Sequence, residues 1–164
     1  MFKVFLCLLV SFGLFSTEDI SGFWKTIDDK TGQARSVIAI YESGGFYYGK
    51  IIGSFDDHGK IKDSIYAPVG RAPGLVGQPF YSGLDIIWYL VDTGNQFKGK
   101  ILDPEHGKVY NAELWIEHGD LVVRGKLLMF GRSQTWVRAK ESDFPKGFKL
   151  PDLKSLTPAV PDVN

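Results

Sequence analysis

Turn chemistry recurs along this chain at intervals too short for helices. Between residues 21 and 139, apolar runs alternate with clusters such as DDKTGQ, SGG, DTGNQ, DPEHG and HGD. No segment sustains the i, i+3, i+4, i+7 spacing of an amphipathic helix over three turns. The runs that read as strands are 21–27, 35–42, 46–55, 84–91, 97–102, 108–117, 121–129 and 133–139. Short strands at this spacing argue for an all-β sandwich or barrel. Nearly every connection is hairpin-short, which favours up-and-down order over a Greek key. About eight strands is the number that closes a small barrel able to hold one small ligand. The chain is therefore expected to form an antiparallel up-and-down barrel of about eight strands over 18–140. Its one long connection, 56–83, has room for one helical turn at most.

Alternation within the runs assigns their faces. Gly-Lys-Ile occurs at 49–51 and 99–101, and Gly-Lys-Leu at 125–127. In an up-and-down barrel these three runs point the same way, so their glycines are expected at similar height. Chance recurrence of a common dipeptide is the alternative. With the lysines turned to water, Tyr47, Gly49, Ile51 and Gly53 face inward in the third run. Phe97, Gly99 and Ile101 do so in the fifth, and Tyr110, Ala112, Leu114 and Ile116 in the sixth. Leu121, Val123, Gly125, Leu127 and Met129 follow in the seventh. An apolar inner wall and a charged outer wall describe a water-soluble barrel; an outer-membrane barrel needs the reverse.

The two ends of the chain stand apart from this pattern. One early cation, Lys3, precedes an apolar run from Val4 to Phe15. That length fits the core of a signal peptide and falls short of a membrane span. Residues 1–17 are expected to be a cleaved signal, with an uncleaved anchor as the alternative, and export to the periplasm or cell envelope follows. The chain's single cysteine, Cys7, lies in that run, so the mature protein would have no disulfide, cysteine nucleophile or thiolate metal site. Residues 141–164 carry four prolines and no strand period, and read as an extended tail. Formal net charge is zero, which leaves no basic footprint for nucleic acid.

Three stretches carry a resemblance: Gly22-x-Trp24 with the following D-x-x-T-G, GKILDPEHGKVY at 99–110, and FGRSQTWVR at 130–138. Together they resemble the domain of unknown function 2147, a family of exported, lipocalin-like bacterial proteins. The resemblance, carried by Gly22-x-Trp24 and Arg138, implies a lipocalin-like barrel in which Trp24 plugs the closed end and Arg138 packs over it. These three positions are expected to be structural. Family members commonly carry a cysteine pair in the third-to-fourth connection. This chain has none there, so no disulfide or redox role carries over. The family brings no established activity with it.

Strand counting then places the loops. The turns after the first, third, fifth and seventh runs share one end, taken as the mouth, and His118 falls at the other. A strand of about eight residues separates the ends by roughly 26 Å, so His58, His106 and His118 cannot share one metal ion. His58 and His106 could still meet at the mouth beside Asp57 or Asp103 as a metal or hydrolytic site. The competing reading makes each His-Gly a turn. No G-x-S-x-G, H-E-x-x-H or phosphate loop is present. The leading expectation is a non-catalytic binder, without cofactor or metal, for a small apolar or amphipathic ligand. Its interior wall would be Tyr47, Ile51, Phe97, Ile101, Tyr110, Leu114, Val123, Leu127 and Met129. Lys30, Arg71, His106 and Arg132 would form the polar mouth, meeting a carboxylate or phosphate head. The alternative is an envelope interaction module using 56–83 and the tail. A monomer or weak homodimer is expected.

Overall fold

The computed structural model describes residues 16–127 and 130–163, without the Phe130 side chain. The expected signal segment, Cys7 and Met129 lie outside the described residues. Nine strands form one antiparallel sheet: β1 (Gly22–Ile27), β2 (Ala34–Ser43), β3 (Phe46–Phe55), β4 (Ile61–Ser64), β5 (Asp85–Asp92), β6 (Phe97–Asp103), β7 (Lys108–Glu117), β8 (Asp120–Leu127) and β9 (Phe130–Arg138). Sequential neighbours pair from β5 to β9, β9 pairs with β1, and β1–β2 and β2–β3 complete the circuit through β3–β5. The result is a closed barrel of eight strands in up-and-down order, as the turn spacing predicts.

The ninth strand, β4, is a departure from the sequence reading. It lies inside the long connection and pairs with Gly53–Phe55 on the β3 edge, beyond the stretch that β5 occupies. Four residues, IKDS, are too few for an alternation to be read. No helix among the described residues is long and apolar enough to cross a membrane.

Two apolar clusters hold the fold, where alternation alone predicts one. The larger fills the closed half of the barrel, with Trp24, Ile40, Leu90, Phe97, Leu114 and Leu121 all buried. The smaller lies on the outer face of β2 and β3, where Val37, Ala39, Ile52 and Phe55 are buried beneath Phe144, Leu150, Leu153 and Leu156 of the tail. The outer wall is therefore not charged throughout. β2 and β3 are buried on both faces, which explains why Val37–Tyr41 reads as an unbroken apolar run and why Ile51 and Ile52 follow one another. A bulge contributes: Ile38 pairs with Ile51 but Val37 with Gly53, so Ile52 is the extra residue. That slip turns Gly53 to the outer face, not inward as strict alternation has it.

The tail is anchored as well as packed. Two single turns of 3-10 helix, Glu141–Asp143 and Leu153–Ser155, shape it. Lys25 Nζ meets Asp143 Oδ1 at 2.7 Å. Further along, Ala159 donates its N–H to the Asp85 carboxylate and accepts from the Asp85 N–H at 3.2 Å. Under that contact Lys50 is almost wholly withdrawn from water. It is 6% exposed. It pairs with Asp85 Oδ2 at 2.9 Å and donates to the Gly83 carbonyl at 3.0 Å. The Tyr41 hydroxyl donates to the other Asp85 oxygen at 2.9 Å. Burial, then the Asp85 charge, hold the Tyr41 phenol well above its ordinary range, so it stays a donor.

Candidate functional site

The closed end is sealed by Trp24. Its indole N–H donates to the Ile20 carbonyl at 2.8 Å, and the Arg138 guanidinium lies 4.2 Å from its ring centre. Trp24 and Arg138 are direct cross-strand partners on β1 and β9. Gly22 makes room for this stack. Its φ is +133°, and a Cβ there would stand 2.7 Å from an Arg138 guanidinium nitrogen. Arg138 also donates to the Ser21 carbonyl at 3.3 Å.

The mouth half is open. A cavity of about 1060 Å³ runs inward between the β1–β2, β3–β4 and β6–β7 connections. Its apolar wall is Ile38, Ile51, Ile86, Ile101, Val123 and Trp136. Gly99 and Gly125 share a cross-strand row through Ala112, whereas Gly49 belongs to the neighbouring row opposite Ile87. Only two of the three repeat glycines are thus level. Gly125 lines the cavity and leaves the wall bare beside Ile101 and Tyr110.

The long connection folds over one side of this mouth. The Asp63 carboxylate accepts from the N–H groups of Val69 at 3.2 Å and Gly70 at 2.8 Å. The backbones of Gly74 and Gly107 touch. A Cβ on Gly74 would stand 2.5 Å from the Gly107 nitrogen, so both positions exclude a side chain. Tyr81 lines the cavity from this segment; burial first, then Glu105 and Asp103, push its phenol up.

The expected interior residues divide by depth. Ile51, Ile101, Tyr110, Val123 and Leu127 line the cavity. Leu127 does so from the rim, at 60% exposure. Tyr47, Phe97 and Leu114 belong to the packed half instead. There Tyr47 and Phe97 meet edge to face at 5.0 Å. Alternation gives the face of a strand but not how far along the barrel the side chains stop filling it.

Of the expected mouth groups, Arg132 alone lines the cavity, and Asp29 holds it at 2.7 Å. Arg71 stacks on Phe80 at 4.0 Å and donates to the Gln78 carbonyl. Lys30 contributes its backbone N–H to the Asp28 turn. His106 Nδ1 lies 2.7 Å from Asp103 Oδ2 on the exposed β6–β7 turn. His58 donates its backbone N–H to Asp56, and His118 occupies the β7–β8 turn at the closed end with φ +53°. Among the described residues, no three His, Cys, Asp or Glu side chains converge as a metal site.

The family model described as "Uncharacterized protein conserved in bacteria (DUF2147)" matches residues 22–138. The chain belongs to this family. The match ends at Arg138, so the tail lies beyond it. Among solved structures the chain is similar to one described as "Protein HP1028 from the human pathogen Helicobacter pylori belongs to the lipocalin family". The identity is 18%, the match covers 77% of this chain and 87% of that one, and the TM-score is 0.59. At that identity the likeness carries the fold alone: this DUF2147 member is a lipocalin-like barrel. No curated protein matches the chain.

Ile38 on β2, Ile86 on β5, and Gln134 and Trp136 on β9 line the cavity of this DUF2147 protein and escape the sequence reading. For the two on β9 the signal was available. Gln134 pairs with Val123 and Trp136 with Leu121, so the inward parity of the seventh run extends directly to the eighth.

Proposed function

We propose that this protein is an exported, non-catalytic carrier that holds one small apolar or amphipathic molecule in its mouth-end cavity. The cavity itself carries the reading. At about 1060 Å³ it is the size of a small-molecule site, with an apolar floor and a polar rim. Burial of ligand surface against Ile51, Ile101 and Val123 supplies affinity at about 25 cal/mol per Å². The lipocalin-family structural neighbour supports the same class. The protein acts in the periplasm or cell envelope, as a monomer or weak homodimer, after loss of residues 1–17. Native mass spectrometry of the protein purified from its own envelope is expected to show a retained small molecule. A mass equal to the bare chain, from several growth conditions, would count against it.

The exposed side chains of Tyr66, Val69 and Val76 favour a second reading, an interaction surface on the 56–83 connection. Crosslinking that vanishes in a Val69→Asp, Val76→Asp variant would support it. Crosslinking unchanged in that variant would remove it.

A further inference from the structure

The cavity contains one polar side chain whose orientation is fixed from behind. Trp136 is 2% exposed, and its indole nitrogen is only ever a donor. It donates to Gln134 Oε1 at 3.2 Å. That bond settles which way the Gln134 amide faces, because the Nε2 end cannot accept from an indole N–H. Both N–H bonds of Nε2 are left to point elsewhere. Gln134 shares its face with Val123 and Trp136 and lines the cavity. Among the described residues no side chain or backbone oxygen accepts from Nε2. Tyr110 and Tyr81 also line the cavity.

The charges around the entrance narrow the choice of ligand. Asp28, Asp29, Asp63, Asp103 and Glu105 all line the cavity. Three cations face them: Arg35, Lys62 and Arg132. Arg35 is bound to Asp28 at 3.1 Å and Arg132 to Asp29 at 2.7 Å. An anionic head group would meet five carboxylates against three cations, and two of those three, Arg35 and Arg132, are already paired. A neutral acceptor meets no such repulsion.

We propose that Gln134 is a specificity residue of the cavity, and that the ligand is an uncharged amphiphile whose carbonyl oxygen accepts from Gln134 Nε2. This rests on the ligand-binding reading above and sharpens it. The acyl or alkyl chain lies against Ile51, Ile101 and Val123, and the carbonyl stands at the level of Gln134. A fatty acid carboxylate of equal length is discriminated against.

Tryptophan fluorescence titration at pH 8 with three probes tests the assignment: 2-undecanone, decanoate and decylamine. The wild type is expected to bind 2-undecanone about tenfold more tightly than decanoate, and Gln134→Leu to weaken the ketone about fivefold through loss of one hydrogen bond. Gln134→Glu keeps the Trp136 bond and the shape but replaces the free donor with an acceptor. It is expected to weaken 2-undecanone further and to tighten decylamine. Decanoate binding as tightly as the ketone, or ketone affinity unchanged in both variants, would overturn the role of Gln134 while leaving the carrier reading intact. Failure of the wild type to bind any of the three would overturn both.

Discussion

Lys50 and Asp85 show how much can hang on one side chain that sequence periodicity sends to water. The lysine does lie on the outer face. The tail then covers it, and Asp85 is 0% exposed. Replacing one member of a buried pair leaves the other uncompensated, at a cost of about 3–5 kcal/mol. Lys50→Met is therefore expected to lower the unfolding free energy by about that amount, read from urea denaturation. Lys50→Met with Asp85→Leu is expected to recover much of the loss, because the orphaned charge is gone. At Gly22 the constraint is steric. Gly22→Ala forces a methyl against Arg138 at an unfavourable φ and is expected to cost about 1–3 kcal/mol. Asp28 sets an acid limit. The Thr31 N–H above all, then the Thr31 hydroxyl and Arg35, hold its carboxyl down to about 2. A carboxyl depressed in the folded state stabilises above its unfolded value of 3.8 and loses that contribution as pH falls through the folded one. Stability is thus expected to fall between about pH 4 and pH 2, and less steeply in Asp28→Asn, as urea midpoints measured across that range would show.

The elements were readable where their period was long enough to sample. Eight runs bounded by Gly, Asp and Asn turns became the eight barrel strands, because hairpin turns and alternation are local properties. β4 was not readable, since four residues sample the period only twice. The tail was half readable. Its prolines and lack of period announce an extended segment, but nothing local says that it lies on the β2–β3 wall. The clue was the unbroken apolar run Val37–Tyr41 and the adjacent Ile51–Ile52, which a single-faced barrel strand does not need. Removal of residues 141–164 is expected to uncover Val37, Ala39 and Ile52 and the Lys50–Asp85 pair. A loss of about 3 kcal/mol or more, with new binding of a hydrophobic dye, would be its signature in denaturation and fluorescence measurements.

At the scale of the whole molecule, the barrel is filled at one end and open at the other. Filling the open half should separate binding from stability. Gly125→Phe places a ring in the cavity rather than in packed core, because a Cβ there would meet only Ile101 at 3.5 Å and Tyr110 at 3.8 Å. It is expected to abolish 2-undecanone binding while the unfolding midpoint stays within about 1 kcal/mol of the wild type, as titration and denaturation would show. Turn residues and alternation, both set by neighbours in the chain, were enough to determine an up-and-down barrel with an apolar interior. The family motif placed Gly22, Trp24 and Arg138 at one end of it. Tertiary structure alone decided the rest: which inward residues are packed and which line space, that Asp29 neutralises Arg132, and that Trp136 orients Gln134. Each depends on residues brought together across the barrel from distant positions, so no local period in the sequence encodes it.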